Sequence, residues 1–169
     1  FNDRMKKKAD PYAKALIIPN GIKVVTWNTS ALFHHDPSCR NQKIAVVDRL
    51  ARDYDIICLQ ETHGTDQPVK NYLDALARTH DIFASLIKNN THESNDRAGV
   101  IIAVRRKFCG NDQTCKKREF VVGRSIRTEI THDRWRKIIS WNIHNEDLQG
   151  LAKRKGGTQF HAMIEQINK

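Results

Sequence analysis

The chain reads as an α/β protein built in layers, and three features of its sequence predict this. Short β-branched segments of strand length stand at 22–28 and 55–61, segments of helical periodicity follow each of them, and three strand-like segments run between 120 and 143 with only turns between them. The order strand, helix, strand, helix, strand, strand, then a strand cluster and a helix fits helices around a mixed sheet. It fits equally two sheets face to face with helices outside. The 169 residues suit one domain with one core. A hydrophobic share of 39%, a charged share of 28%, eight Gly and four Pro exclude collagen-like and low-complexity classes. The apolar runs are far shorter than the roughly 20 residues a membrane-spanning helix needs.

Residues 1–21 open with Lys6-Lys7-Lys8 and close on Ile17-Ile18-Pro19-Asn20-Gly21, and are expected to form a flexible basic arm; 22–169 form the domain. The first strand, 22–28, is β-branched and stops at Asn28. Ile44, Val47, Leu50 and Ala51 mark one face of a helix over 41–52, and Asp36-Pro37-Ser38 offers its cap. Segment 55–61 is continuously apolar before its final Gln-Glu, the pattern of a strand buried on both faces. Val69, Tyr72, Leu73, Leu76 and Ala77 define a second helix, capped by Thr65 or Asp66. Strands are expected over 82–87 and 98–104, the latter opened by Gly99, with a polar loop over 88–97 between them. A basic hairpin loop over 105–118 precedes strands at 120–122, 124–130 and 136–143, the last two joined by Thr131-His132-Asp133. The remainder, 145–169, is helical in composition with a break at Gly156-Gly157 and an apolar face of Phe160, Met163, Ile164 and Ile167.

The net charge is +10, and residues 97–155 hold 15 basic and 6 acidic side chains, so that stretch carries 15 − 6 = +9. Such a field favours phosphate-rich partners, nucleic acid first and anionic lipid head groups second, although a solvated basic face accounts for charge alone equally well. The four cysteines lack the spacing of a disulfide scaffold or a zinc finger. Cys58 reads as a core residue, while Cys109 and Cys115 flank a turn-rich loop that an oxidising compartment would let close as a local disulfide. Free thiols and an intracellular compartment, nucleus or cytoplasm, are the expectation.

Chemistry in layered α/β folds sits beyond strand ends, where loops bring side chains together. Three ends stand out: Asn28, Glu61 and His144. A carboxylate directly after a buried run needs a cation or donors, and Mg²⁺ satisfies one while keeping positions for water and phosphate oxygens. A helix-capping or ion-paired Glu is the commoner use of that position. Asn28 can brace a neighbouring carboxylate or simply end a strand in a turn. His144, within Ser140-Trp141-Asn142-Ile143-His144-Asn145, can serve a site or be an ordinary surface or core histidine.

Taken together these segments resemble the endonuclease/exonuclease/phosphatase superfamily, the metal-dependent phosphodiesterases and phosphatases related to deoxyribonuclease I. Lys23-Val24-Val25-Thr26-Trp27-Asn28 resembles its opening strand, and Asp55-Ile56-Ile57-Cys58-Leu59-Gln60-Glu61-Thr62 its second motif, whose Glu is the metal ligand. Ala98-Gly99-Val100-Ile101-Ile102-Ala103, Gly123-Arg124 and Ile139-Ser140-Trp141-Asn142-Ile143-His144-Asn145 resemble the strands that follow. The resemblance implies a two-sheet α/β sandwich of the deoxyribonuclease I-like type, incomplete at its C-terminus. It implies hydrolysis of a phosphodiester with Mg²⁺, or Mn²⁺ in its place, with Asn28, Glu61 and His144 catalytic and Glu61 the metal ligand. Arg124, Asn142 and Asn145 would bind substrate phosphate. The implied partner is nucleic acid, with a phosphorylated small molecule or lipid as the phosphatase or phospholipase alternative and a non-catalytic nucleic-acid-binding module as a third reading. The family's Gly-Asp-(aromatic)-Asn and Ser-Asp-His motifs, which carry the base and the second catalytic histidine, do not occur in these 169 residues. The chain is therefore expected to be the N-terminal portion of a longer protein, ending in a helix over 158–168, and to show little or no turnover alone.

Overall fold

The computed structural model describes residues 13–18, 21–64, 67–86, 98–108, 115–131 and 137–144. Strand β1 (Ala13–Ile18) pairs antiparallel with β2 (Ile22–Asn28), from Ala13 opposite Trp27 to Ile18 opposite Ile22. The arm expected over 1–21 is thus a sheet strand in its second half; residues 1–12, with the lysine cluster, lie outside the described residues. Helix α1 (Pro37–Asp53) then crosses over so that β3 (Ile56–Gln60) lies parallel to β2, in register from Val24 opposite Ile56 to Asn28 opposite Gln60. After α2 (Gln67–Leu76), strand β4 (His80–Ser85) pairs antiparallel with β5 (Val100–Arg105), which pairs antiparallel with β3. The first sheet has the order β1-β2-β3-β5-β4. A second, three-stranded antiparallel sheet follows: β6 (Lys116–Val121), β7 (Ser125–Ile130) and β8 (Ile138–Ile143). The two-sheet sandwich is the architecture that the resemblance implied.

The period-2 alternation of β3 and β5 explains the layering. Ile57, Leu59, Ile101 and Ala103 face one way, into a core closed by Val47 of α1 and by Val69 and Leu76 of α2. Ile56, Cys58, Val100, Ile102 and Val104 face the other way, against Ile126 and Ile130 of β7. Each such Ile or Leu contributes about 1.5–3 kcal/mol by leaving water. Cys58 is the expected core residue; burial pushes its thiol up to about 11, which leaves it unreactive at neutral pH. Cys39 also carries a free thiol, and Cys109 lies outside the described residues. Among the described residues, no helix is long and apolar enough to cross a membrane.

Helix α1 starts four residues before the expected 41, because Asp36 caps it by accepting from the Ser38 N–H at 2.9 Å and Pro37 occupies its first turn. That first turn is polar, so apolar periodicity could not reveal it. At the other end, Arg105 Nη2 donates to the carbonyls of Ala51, Arg52 and Tyr54 at 2.7, 2.7 and 2.9 Å, putting a cation where the last carbonyls of the helix need donors. Asp55, 6% exposed at the start of β3, accepts from the Lys23 N–H at 3.0 Å and meets Lys107 Nζ at 3.2 Å, which fixes the β2–β3 pair at the end opposite Glu61.

His80 opens β4 opposite Arg105 and is 2% exposed. Its Nδ1 lies 2.8 Å from Thr79 Oγ1, and among the described residues its Nε2 has no partner. Burial, reinforced by the Arg105 charge and opposed by Asp55 and Asp81, holds its pKa below the usual histidine value. The unfolded chain then takes up the proton more readily than the folded one. Stability is expected to fall as pH drops below the ordinary histidine value of about 6.5 and to keep falling until the folded-state pKa is passed. Melting temperatures measured between pH 7.5 and 5.5 check this: His80→Gln should flatten the profile, and an equally steep profile in that variant would contradict the assignment.

Candidate active site

The parallel pairing of β2 and β3 decides where the site lies. With Asn28 opposite Gln60, both chains leave the sheet at the same edge, one residue before Glu61. The outgoing segments then zip together: Thr29 N–H donates to Gln60 O at 2.9 Å, Ala31 N–H to Glu61 O at 2.8 Å, and Phe33 N–H to Thr62 O at 2.9 Å. Thr29 Oγ1, 2% exposed as a residue, donates to the carbonyls of Gln60 or Glu61 at 2.8 and 2.9 Å and accepts from Leu32 N–H at 3.1 Å. Held this way, Asn28 Nδ2 donates to Glu61 Oε1 at 2.6 Å, while Asn28 Oδ1 accepts from Ser30 N–H at 3.0 Å. Glu61 (φ 51°), His63 (φ 52°), Ser30 (φ 45°) and Ala31 (φ 69°) are all left-handed without being glycine. Each such residue costs on the order of 1 kcal/mol or more, and such outliers gather where geometry serves a site.

The second sheet brings the third member. His144 follows β8, its N–H donating to Arg124 O at 2.8 Å, and its Nε2 lies 3.0 Å from the same Glu61 Oε1 that Asn28 holds. Arg124 Nη1 stands 2.7 Å from His144 Nδ1. A guanidinium has no acceptor, so Nδ1 must accept and the proton must sit on Nε2, which donates to the carboxylate. The His144–Glu61 contact is therefore a hydrogen bond from a neutral imidazole. Side-chain exposures of 8% for His144 and 16% for Glu61 place both at the seam between the sheets, with Glu61 the more open.

Of the residues expected to bind phosphate, Arg124 is 5% exposed and lies behind His144. Asn142 is a correction. It is 1% exposed, its Nδ2 donates to the carbonyls of Leu59 and Ile101 at 2.9 and 2.8 Å, and its Oδ1 accepts from Gln60 Nε2 at 2.5 Å. Both of its donor hydrogens and its acceptor are committed within the protein, so it ties β8 to the first sheet instead of meeting a ligand. Asn145 lies outside the described residues. Gln60, Thr29 and Lys43 were not singled out from sequence. The Thr after a strand end was a visible turn signal, whereas nothing local marks Lys43, whose Nζ donates to the carbonyls of Ser30 and of Ala31, the latter at 3.1 Å.

The sequence profile described as Endonuclease/Exonuclease/phosphatase family matches residues 25–156, most of the chain and every strand from β3 through β8. The chain belongs to the endonuclease/exonuclease/phosphatase family. Among solved structures, TDP2 from Caenorhabditis elegans is similar at 16% identity and a TM-score of 0.51, over 87% of this chain and 42% of that one. A second TDP2 structure from the same organism gives 15% identity and a TM-score of 0.46, over 96% and 46%. The chain thus spans less than half the length of these solved chains. No curated protein matches it.

The divalent cation that the family implies can be tested against these side chains. Among the described residues nothing bonds to Glu61 Oε2, so Glu61 keeps one oxygen beside the one that Asn28 and His144 fix. The only grouping of three His, Cys, Asp or Glu ligands among the described residues is His34, Asp36 and Cys39, which omits Glu61 and whose Asp36 already caps α1. Glu61 alone is a hard oxygen donor, unlike the multi-ligand sets of zinc. A single carboxylate with open positions for water and phosphate suits Mg²⁺ or Mn²⁺, so the residues fit the group.

Proposed function

We propose that this chain supplies the carboxylate side of a Mg²⁺-dependent phosphodiester hydrolase acting on nucleic acid. One observation carries the reading: Asn28 and His144, from different sheets, both donate to one oxygen of Glu61. Glu61 would hold Mg²⁺, or Mn²⁺ in its place, and such a cation would supply positive charge for a phosphoryl oxygen and the leaving oxyanion. Asn28 keeps the carboxylate from rotating away. His144 donates its one ring proton, on Nε2, to Glu61, and Arg124 fixes that tautomer from behind. A phosphoryl or leaving oxygen would receive that proton only by taking the place of the carboxylate oxygen. The basic excess over 97–155 favours nucleic acid, because a polymer of phosphates engages an extended field that a lone phosphate cannot. Since the Gly-Asp-(aromatic)-Asn and Ser-Asp-His motifs are absent from these residues, the water-activating base is not among them, and 1–169 alone are expected to bind without turnover.

The test compares residues 1–169 with the full natural protein carrying them, on fluorescent DNA and RNA, inositol phosphates and a phospholipid, with Mg²⁺ and with chelator. Cleavage of an oligonucleotide by the full protein that stops on chelation and returns with Mg²⁺ or Mn²⁺ is expected. Cleavage confined to inositol phosphate or lipid would replace the substrate. Salt-sensitive binding with no cleavage of any substrate would leave a non-catalytic binding module.

A further inference from the structure

We infer that Lys43 is a positioning residue for the Asn28–Glu61 pair, a role that rests on the reading of that pair as the reactive site. Ser30 and Ala31 are consecutive left-handed residues, at φ 45° and 69°, and this turn presents both of their carbonyls to Lys43 on α1. The peptide units to which those carbonyls belong point their N–H groups the other way. Ala31 N–H reaches Glu61 O at 2.8 Å, and Leu32 N–H lies 3.4 Å from the same oxygen. Both peptide planes are therefore held from opposite edges, by an ammonium on the helix side and, on the other, by the backbone of Glu61 together with Thr29 Oγ1, which takes Leu32 N–H at 3.1 Å. Directly before them, Ser30 N–H donates to Asn28 Oδ1, which turns the amide so that its Nδ2 meets Glu61 Oε1.

Without a cation at that place, two carbonyls aimed together would repel each other, and a left-handed Ala-containing turn would relax toward ordinary backbone angles. Relaxation would withdraw Ser30 N–H from Asn28 and Ala31 N–H from Glu61 in one movement. Lys43 thereby connects α1 to the orientation of two side chains that it does not touch. A hydrogen bond from a charged donor is the strong kind, and its loss should be readable.

The experiment records the side-chain amide signals of Asn28 by NMR in the full chain, assigned with Asn28→Asp. Lys43→Met should bring the Asn28 amide protons to the shifts of a free amide and speed their exchange by at least about tenfold, as expected for a lost charge-assisted bond. Lys43→Arg, which can still donate to two carbonyls, should keep the original signals. Adding Ala31→Gly to Lys43→Met relieves the left-handed cost and should restore part of them, which keeps the test decisive if the single variant folds poorly. Unchanged Asn28 signals in a folded Lys43→Met protein overturn the inference. None of these readouts needs hydrolysis, so absence of cleavage by the full protein would sink the proposed function without touching them. In a protein that does cleave, Lys43→Met should lower kcat and leave KM nearly unchanged; a rise in KM alone would make Lys43 a substrate contact instead.

Discussion

Replacing Glu61 by alanine is expected to abolish divalent-cation binding by this chain and to lower Mg²⁺-dependent hydrolysis by the protein that carries it on the order of 10³-fold. The size follows from what one side chain does here. It offers the one carboxylate oxygen at the seam without a bond among the described residues, and it anchors the donors of Asn28 and His144. Glu61→Gln is the sharper variant, because its carbonyl can still accept from Asn28 while the negative charge is gone. Titration with Mn²⁺, followed by electron paramagnetic resonance, should give saturable binding for the wild type and none for either variant. Wild-type Mn²⁺ affinity in Glu61→Gln would remove the carboxylate from the ligand role.

The second large effect is expected at Gly99. A Cβ there would lie 2.4 Å from Thr62 Oγ1 and 3.2 Å from His63 N, and the backbone sits at φ +108°, which side chains rarely adopt. Gly99 O also accepts Thr62 N–H at 3.1 Å, and Ala98 O accepts His63 N–H at 3.0 Å, so the start of β5 shapes the turn from which Glu61 projects. Gly99→Ala should cost about 2–4 kcal/mol from overpacking and backbone strain together. For a domain of this size that lowers Tm by roughly 5–15 °C. Thr62→Ala in the same chain removes the clashing oxygen and should recover part of the loss. A Gly99→Ala protein that melts with the wild type and binds Mn²⁺ equally well would show that this contact does not shape the turn.

Much of the molecule was legible because it follows local pattern. The continuous apolar run of β3 announces a strand covered on both sides, and a carboxylate at its end announces Glu61. Asn28 was legible for the same reason, since a β-branched run that stops at a polar residue marks a strand end. What escaped depends on contacts distant in sequence. Strand β1 is an edge strand with Leu16 and Ile17 exposed at 60% and 67%, so no buried face patterned it, and its identity lies in hydrogen bonds to β2. Strand β6 begins at Lys116 and not at 120, because an edge strand tolerates the charged Lys116, Lys117 and Arg118 that read as loop, and Glu119 after them. Asn142 looked like a ligand-binding amide since its true partners, two carbonyls on β3 and β5, are 83 and 41 residues away. The place of Arg124 behind His144 likewise comes from folding, since the two stand 20 residues apart.

The Asn142 amide has a wider effect. Grease between two corrugated plates resists their separation and offers little against a slide by one corrugation, whereas a fork of two hydrogens on two fixed oxygens admits a single alignment. His144 comes two residues later, so that alignment decides whether its ring arrives opposite Glu61 or a strand step away. Cohesion of the sandwich and calibration of its rim are then separate properties, carried by different atoms. A leucine at position 142 could preserve the first while spoiling the second.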